Sequence, residues 1–199
     1  VKLLLVDVKP ALVASWRRAF TDAADVDVRE GSIFDISCDA IVSPANSFGF
    51  MDGGIDQLIS ERFGWHVQER LQERIRTRHR GELLVGAADL VPTDDPDVPW
   101  VIAAPTMRVP MPLGPTVNPY LALRAVLLLV RDGSLDDGRP IRDLVRTIAC
   151  PGLGTGVGGV PSGICARQMR AAVGDVLLGE AQFPASWMKA RERHDQLSH

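Results

Sequence analysis

The chain has 199 residues, 46% hydrophobic and 24% charged, with a formal net charge of -3. That is an ordinary globular composition, apolar enough to bury a core, and it excludes disulfide-held miniproteins, collagen-like repeats and acidic disordered tails. No apolar run, 2–8 and 122–130 included, approaches the roughly 18 residues of a membrane span, and the mildly acidic balance argues against non-specific nucleic-acid binding, which rests on Lys and Arg neutralising phosphates.

Residues 2–8 are Leu/Val-rich without polar alternation, as in a strand covered on both faces. A helix is predicted over 10–21, because Pro10 suits a first turn and Leu12, Trp16, Ala19 and Phe20 recur at helical spacing. Residues 26–29 alternate as a short strand, and 39–43 form a buried strand running into Pro44-Ala45-Asn46. From Ile55 the apolar residues Ile55, Ile59, Phe63, Val67, Leu71 and Ile75 recur in steps of four, predicting one long helix bent at Gly64 and ended by Gly81. Strands are predicted over 82–91 and 100–104, with a polar turn at 94–97 between them. Residues 105–118 carry four prolines and little periodicity, a loop of the length that is often functional. A helix follows over 120–132, then a strand over 145–150, a helix over 162–178 and a charged segment over 186–196.

With no repeat, low-complexity tract or linker, the alternation implies one α/β domain over 1–199, with helices on both faces of a sheet. Ligands in such sheets bind where loops leave the carboxyl ends of the strands. The N-terminal segment reaches Asp7 too early for a signal-peptide core, and no cleavage site follows. Cys38, Cys150 and Cys165 are odd in number and far apart, which suits buried thiols in a reducing compartment. A cytoplasmic location is expected.

Two segments leave a strand, pass through glycines and enter a helix. One is Ser43-Pro44-Ala45-Asn46-Ser47-Phe48-Gly49-Phe50-Met51-Asp52-Gly53-Gly54-Ile55-Asp56. The other is Cys150-Pro151-Gly152-Leu153-Gly154-Thr155-Gly156-Val157-Gly158-Gly159-Val160-Pro161. Glycines let backbone N–H groups converge, and the helix that follows adds unpaired donors and a positive dipole end, so each segment reads either as a tight turn or as an anion cradle. Two of them in one small domain favour a ligand with two phosphates. There is no G-x-x-x-x-G-K-[ST], and Lys2, Lys9 and Lys189 all lie far from these segments in sequence, which excludes an ordinary P-loop ATPase. Gly154, Gly156 and Gly159 spell G-x-G-x-x-G, but too little chain follows for the remaining βα units of a dinucleotide fold. Asn46 and Asp56 are the side chains with chemistry to offer: an amide can hold a sugar hydroxyl and a carboxylate can activate water. Their alternative roles are capping a turn and stabilising a helix N-terminus.

The run Asp39-Ala40-Ile41-Val42-Ser43-Pro44-Ala45-Asn46, followed by Gly53-Gly54-Ile55-Asp56, resembles the macrodomain pattern V-D-A-I-V-N-A-A-N…G-G-G-V-D, including the ten-residue step from Asn to Asp. Gly154-Thr155-Gly156-Val157-Gly158-Gly159-Val160-Pro161 resembles that family's second ligand loop. The resemblance covers most of the chain. It implies a three-layer α/β/α sandwich around a mixed, mainly parallel sheet that binds ADP-ribose or an ADP-ribosylated macromolecule, with no cofactor and no metal. It further implies hydrolysis of an ADP-ribosyl linkage or of an ADP-ribose derivative such as the 1″-phosphate, with Asn46 at the distal ribose and Asp56 assisting water. Backbone donors from Gly53, Gly54, Ile55 and from Gly154, Thr155, Gly156, Val157, Gly158 and Gly159 would hold the diphosphate, with Ser32 and Ile33 at the adenine and Ala45 also among the ligand-binding residues. The alternatives are a non-catalytic ADP-ribose reader and a macrodomain with an altered nucleotide ligand.

The sequence departs from the pattern at four places. Ser32 stands where many members carry Asp to accept from the adenine amino group, Ser43 replaces the first Asn, Met51 and Asp52 replace two glycines, and Gly158 replaces an aromatic residue. Phe48 or Phe50 could supply the missing aromatic surface, although anchoring of the loop to the core is the simpler role for both. Arg108 reads mainly as a solvated loop residue, Cys150 as a packed thiol and Tyr120 as core. His66, His79, His194 and His199 show no metal-ligand spacing.

Overall fold

Four apolar residues in a row on an extended chain point alternately to opposite sides, so Leu3 and Leu5 need one apolar layer and Leu4 and Val6 need another. In a computed structural model, which describes residues 1–199, those layers are present. The elements in order are β1 (Lys2–Asp7), α1 (Pro10–Ala19), β2 (Val26–Glu30), β3 (Ala40–Ser43), α2 (Gly54–Phe63), α3 (His66–Arg78), β4 (Asp89–Pro92), β5 (Trp100–Ala103), α4 (Asn118–Asp132), β6 (Thr147–Cys150), α5 (Ser162–Val176) and α6 (Trp187–Ser198). They build a three-layer α/β/α sandwich. Leu3, Leu5, Val42, Ile102 and Ile148 pack against Trp16 of α1, Leu123 and Leu127 of α4 and Met169 and Val173 of α5. Leu4, Val6, Ile41, Val101 and Ala149 face Ile59 and Phe63 of α2 and Val67, Leu71 and Ile75 of α3. Each fully buried Leu or Ile contributes about 1.5–3 kcal/mol relative to exposure, whereas an exposed ion pair contributes under about 1 kcal/mol. The two cores, and not the many surface Arg–carboxylate pairs, hold the layers together.

The six strands run in the order β2-β1-β6-β3-β5-β4. All pairings are parallel except that of β4 with β5, which is antiparallel and sits at the edge. The carboxyl ends of five strands therefore share one side of the sheet. No helix is long and apolar enough to cross a membrane.

Three segments differ from the sequence-based expectations. The helix predicted from Ile55 onward is two helices, broken rather than bent at Gly64. That residue has φ +103 and ψ 148, and its N–H closes α2 on the Ser60 carbonyl at 2.8 Å. A Cβ there would stand 2.6 Å from His66 Nδ1. Residues 82–88 are a turn and not the first half of a strand: Gly86 takes φ +94, Ala87 N–H bonds the Leu84 carbonyl, and the buried Leu83 donates its N–H to Ser47 O at 2.9 Å. Only Asp89–Pro92 pairs as β4. The charged C-terminal segment folds as α6, capped by Ser186 Oγ accepting from Lys189 N–H and packed on α5.

The break at Gly64 occupies a backbone region reserved for glycine, where strain costs about 1–3 kcal/mol. Gly64→Ala should destabilise the protein by about that amount, seen as a lowered urea midpoint with an unchanged m-value.

Candidate functional site

Because β3 and β6 are neighbours, paired Ala40 to Ile148 and Ile41 to Ala149, the glycine segments that follow them emerge side by side. They line one cavity of about 440 Å³, a size that takes a nucleotide-like ligand. Of the residues singled out from the sequence, the cavity brings together Ser32, Ile33, Ala45, Asn46, Gly53, Gly54, Ile55, Asp56, Gly154, Thr155, Gly156, Val157 and Gly158. Gly159 is not in the wall: its N–H is committed to the Gly156 carbonyl at 3.0 Å, which tightens the second loop.

The first loop is held from inside. Met51, fully buried, donates its N–H to Gln68 Oε1 at 2.7 Å and its carbonyl accepts from Ser60 Oγ at 3.1 Å. Asn46 folds its amide back on the loop: Oδ1 accepts from Phe48 N–H (3.1 Å) and Phe50 N–H (3.3 Å), and Nδ2 donates to Phe50 O (2.8 Å). An amide nitrogen has two hydrogens, so one N–H of Asn46 remains uncommitted within the chain. The loop then enters α2 through Gly53 and Gly54, the latter at φ +58. The first N–H groups of α2, those of Gly54, Ile55 and Asp56, have no intrahelical acceptor and sit at the positive end of its dipole.

In the second loop Gly154 (φ +69) accepts from Val160 N–H at 3.0 Å, and the Gly158 carbonyl accepts from Leu113 N–H at 2.9 Å. The carbonyls are thus bonded within the chain, and the N–H groups of Gly156, Val157 and Gly158 are left as donors beside the cavity. A Cβ on Gly158 would lie 2.5 Å from Gly154 O and 2.9 Å from Leu113 Cδ1. Leu113 takes the space in which an aromatic residue would start.

Asp56 lies in the first turn of α2, 7% exposed, and its Oδ1 accepts a hydrogen bond from the fully buried Ser43 hydroxyl. Burial pushes the carboxyl up to about 7, and the Ser43 bond pulls it part of the way back. Ser32 Oγ accepts from Phe34 N–H at 3.2 Å, so its hydroxyl hydrogen is free to donate.

Several positions differ from their sequence-based reading. Lys9, far from the glycine segments in sequence, reaches the second loop: its Nζ donates to Thr155 O at 2.9 Å, and it is the only Lys or Arg in the cavity wall. Phe50 is not a core anchor but is 54% exposed at the cavity. Phe48 lies under the Arg108 guanidinium, 5.1 Å from the ring centre, while Arg108 pairs with Glu82 at 2.8 Å and stays out of the wall. Tyr120 packs half-buried against the core, as read from the sequence, and its hydroxyl donates to Asp175 at 2.7 Å. Asp52 is exposed at the cavity. Sequence reasoning missed Asp7, Thr106, Met107 and Pro110, which also line it. The last three belong to the long proline-rich loop after β5, and Asp7 closes β1. Cys150 and Cys165 are buried, and burial raises both thiols, Cys165 to about 12, so neither is a ready nucleophile.

A carboxyl raised from the ordinary 3.8 to about 7 binds its proton more tightly folded than unfolded. Stability tied to it is present below about pH 4 and lost as pH rises through 7. Asp56→Asn removes that loss, so above pH 7 the variant should exceed the parent in stability by on the order of a few kcal/mol. Urea midpoints at pH 5 and pH 8.5 check this: the parent's should fall between the two by more than the variant's.

A family model described as Macro domain matches residues 42–169. An uncharacterized protein of Aquifex aeolicus is 34% identical over 145 residues, covering 73% of this chain and 78% of its own length. One from Aeropyrum pernix is 28% identical over 145 residues, 73% of this chain and 68% of its own. Among solved structures, the macrodomain of Mycobacterium tuberculosis DarG superposes with a TM-score of 0.60 at 20% identity, over 74% of this chain and 88% of that one. An Oceanobacillus iheyensis macrodomain variant with ADPR gives 0.56 at 20% identity, over 71% and 73%. The sheet order, the paired glycine loops and the family match over most of the chain agree: this chain belongs to the macrodomain family.

Proposed function

We propose that residues 1–199 act as a single macrodomain that binds ADP-ribose, free or on a modified macromolecule, and hydrolyses an ADP-ribosyl linkage or an ADP-ribose derivative in the cavity. The observation that carries this reading is the convergence of both glycine loops on one cavity that holds a buried carboxyl, Asp56, in its wall. The N–H groups of Gly54 and Ile55 on one side and of Gly156, Val157 and Gly158 on the other receive the diphosphate, as suits a chain with a single cation at the site. The base rests at Ser32 and Ile33, with the Ser32 hydroxyl donating to a ring nitrogen. At the other end the free N–H of Asn46 reaches the distal ribose, and Phe50, presented by the two bonds Asn46 makes to it, offers the aromatic face that Gly158 does not. In the reaction the Asp56 carboxylate accepts a proton from water, the water oxygen bonds the anomeric carbon, and the leaving group departs with the electrons of the broken bond.

A positioned base contributes about 10²–10⁴ in rate. Asp56→Ala should lower turnover by that factor while the dissociation constant for ADP-ribose stays near the parent's. Because the base must be ionised, the parent's rate should rise with pH and level off above about 7. The assay is calorimetric titration with ADP-ribose, then incubation with mono-ADP-ribosylated protein, ADP-ribosylated nucleic acid and ADP-ribose 1″-phosphate. Binding without turnover of any of the three makes the chain a reader, and absence of binding makes it a macrodomain with a changed ligand.

A further inference from the structure

The family match begins at residue 42, yet part of the cavity wall lies before it. The turn between β1 and α1 contributes Asp7, Val8 and Lys9. The sheet order fixes what that turn faces. β1 lies between β2 and β6, with Asp7 paired to Glu30; Ser32 and Ile33 follow β2, and the second glycine loop follows β6. On the reading above, the base sits at the end of β2 and the diphosphate on the loops after β6 and β3. The sugar that joins them must then cross the end of β1.

The turn is built against the second loop. Asp7 Oδ1 accepts from Lys9 N–H at 2.9 Å and Oδ2 from Gly152 N–H at 3.1 Å, while Lys9 Nζ bonds Thr155 O at 2.9 Å. The approach is close enough that a Cβ on Gly152 would fall 2.9 Å from Asp7 Oδ2 and 2.6 Å from Thr155 Oγ1. Each carboxylate oxygen has two lone pairs and here uses one within the chain. Asp7 therefore presents two unfilled acceptor positions, on a fixed side chain, in the cavity wall where a sugar has hydroxyl donors to place.

We propose that Asp7 is the specificity residue for the nucleoside ribose, accepting hydrogen bonds from its 2′- or 3′-hydroxyl, so that the segment before the family match selects a ribonucleotide over its deoxy form. This rests on the nucleotide reading of the cavity. The test compares ADP, 2′-deoxy-ADP and 3′-deoxy-ADP as ligands of the full chain. A hydrogen bond to a charged acceptor is worth about ten- to a hundredfold in affinity, so the parent should bind at least one deoxy nucleotide more weakly than ADP by that factor. Asp7→Ala should bind all three alike, and Asp7→Asn, which keeps the shape and one acceptor oxygen, should show a reduced penalty. If Asp7 only anchors Gly152, the substitution weakens all three nucleotides by the same factor and the deoxy penalty survives, which overturns the assignment. A parent that does not discriminate overturns it without any variant. A parent that binds no ADP at all instead removes the nucleotide reading of the cavity, and this assignment with it.

Discussion

Parallel pairing of β3 with β6 decides where everything else at the site can go. The two strands come from distant parts of the chain, and the tie between them is reinforced at their amino ends: the Asp39 carboxylate accepts from the N–H groups of Arg146 and Thr147 at 2.9 and 2.8 Å, while Asp39 N–H bonds Thr147 O at 3.0 Å. With the amino ends clamped and the strands parallel, the carboxyl ends fall level. Each then turns through glycines into a helix, and the uncommitted N–H groups at the cavity are those that open α2 and those of Gly156, Val157 and Gly158 in the second loop. A cavity lined by donors is the geometric consequence, and no basic residue is needed to make it.

This matters because the side-chain charges at the site run the wrong way for an anion. Asp7, Asp52 and Asp56 line the cavity against one cation, Lys9. Two features offset that imbalance. The N-terminus of α2 and the uncommitted N–H groups of the second loop supply fixed partial positive charge at short range. The buried Asp56, raised to about 7, keeps its proton in about half of the molecules at pH 7, which reduces the negative charge in the wall. The burial that raises the Asp56 carboxyl thus also weakens the negative field of the wall around it.

Residues whose side chains announce their own environment were legible from sequence. Leu3-Leu4-Leu5-Val6 required a strand between two apolar layers, and both layers are there. The glycine-rich segments after 43 and 150 required close backbone approach, and both line the cavity. What the sequence hid was set by single backbone angles or by distant neighbours. The apolar period runs unbroken across Gly64, so only its φ of +103 reveals two helices. Residues 82–88 read as strand because Leu83 and Leu84 are apolar, yet Leu83 is buried through a turn bonded to Ser47. Asp7 and Lys9 carry no glycine mark, and their place in the wall follows only from β1 lying beside β6 in the sheet order.

The departures from the family pattern fit together once packing is considered. An aromatic residue at position 158 would need the volume that Leu113 fills, and Leu113 is fixed there by its own N–H to the Gly158 carbonyl. The proline-rich loop after β5 thus lies over the second glycine loop, and the aromatic side chains in the cavity wall are Phe34, after β2, and Phe50, in the first loop. Phe50 can stand exposed because its backbone is held at both N–H and carbonyl by Asn46, and because Met51, next in the chain, is buried where the pattern has a flexible glycine. The buried Met51 and the Leu113 packed on Gly158 thus each fix one glycine loop by contacts within the chain, and they leave Phe50 as the exposed aromatic edge of the first loop.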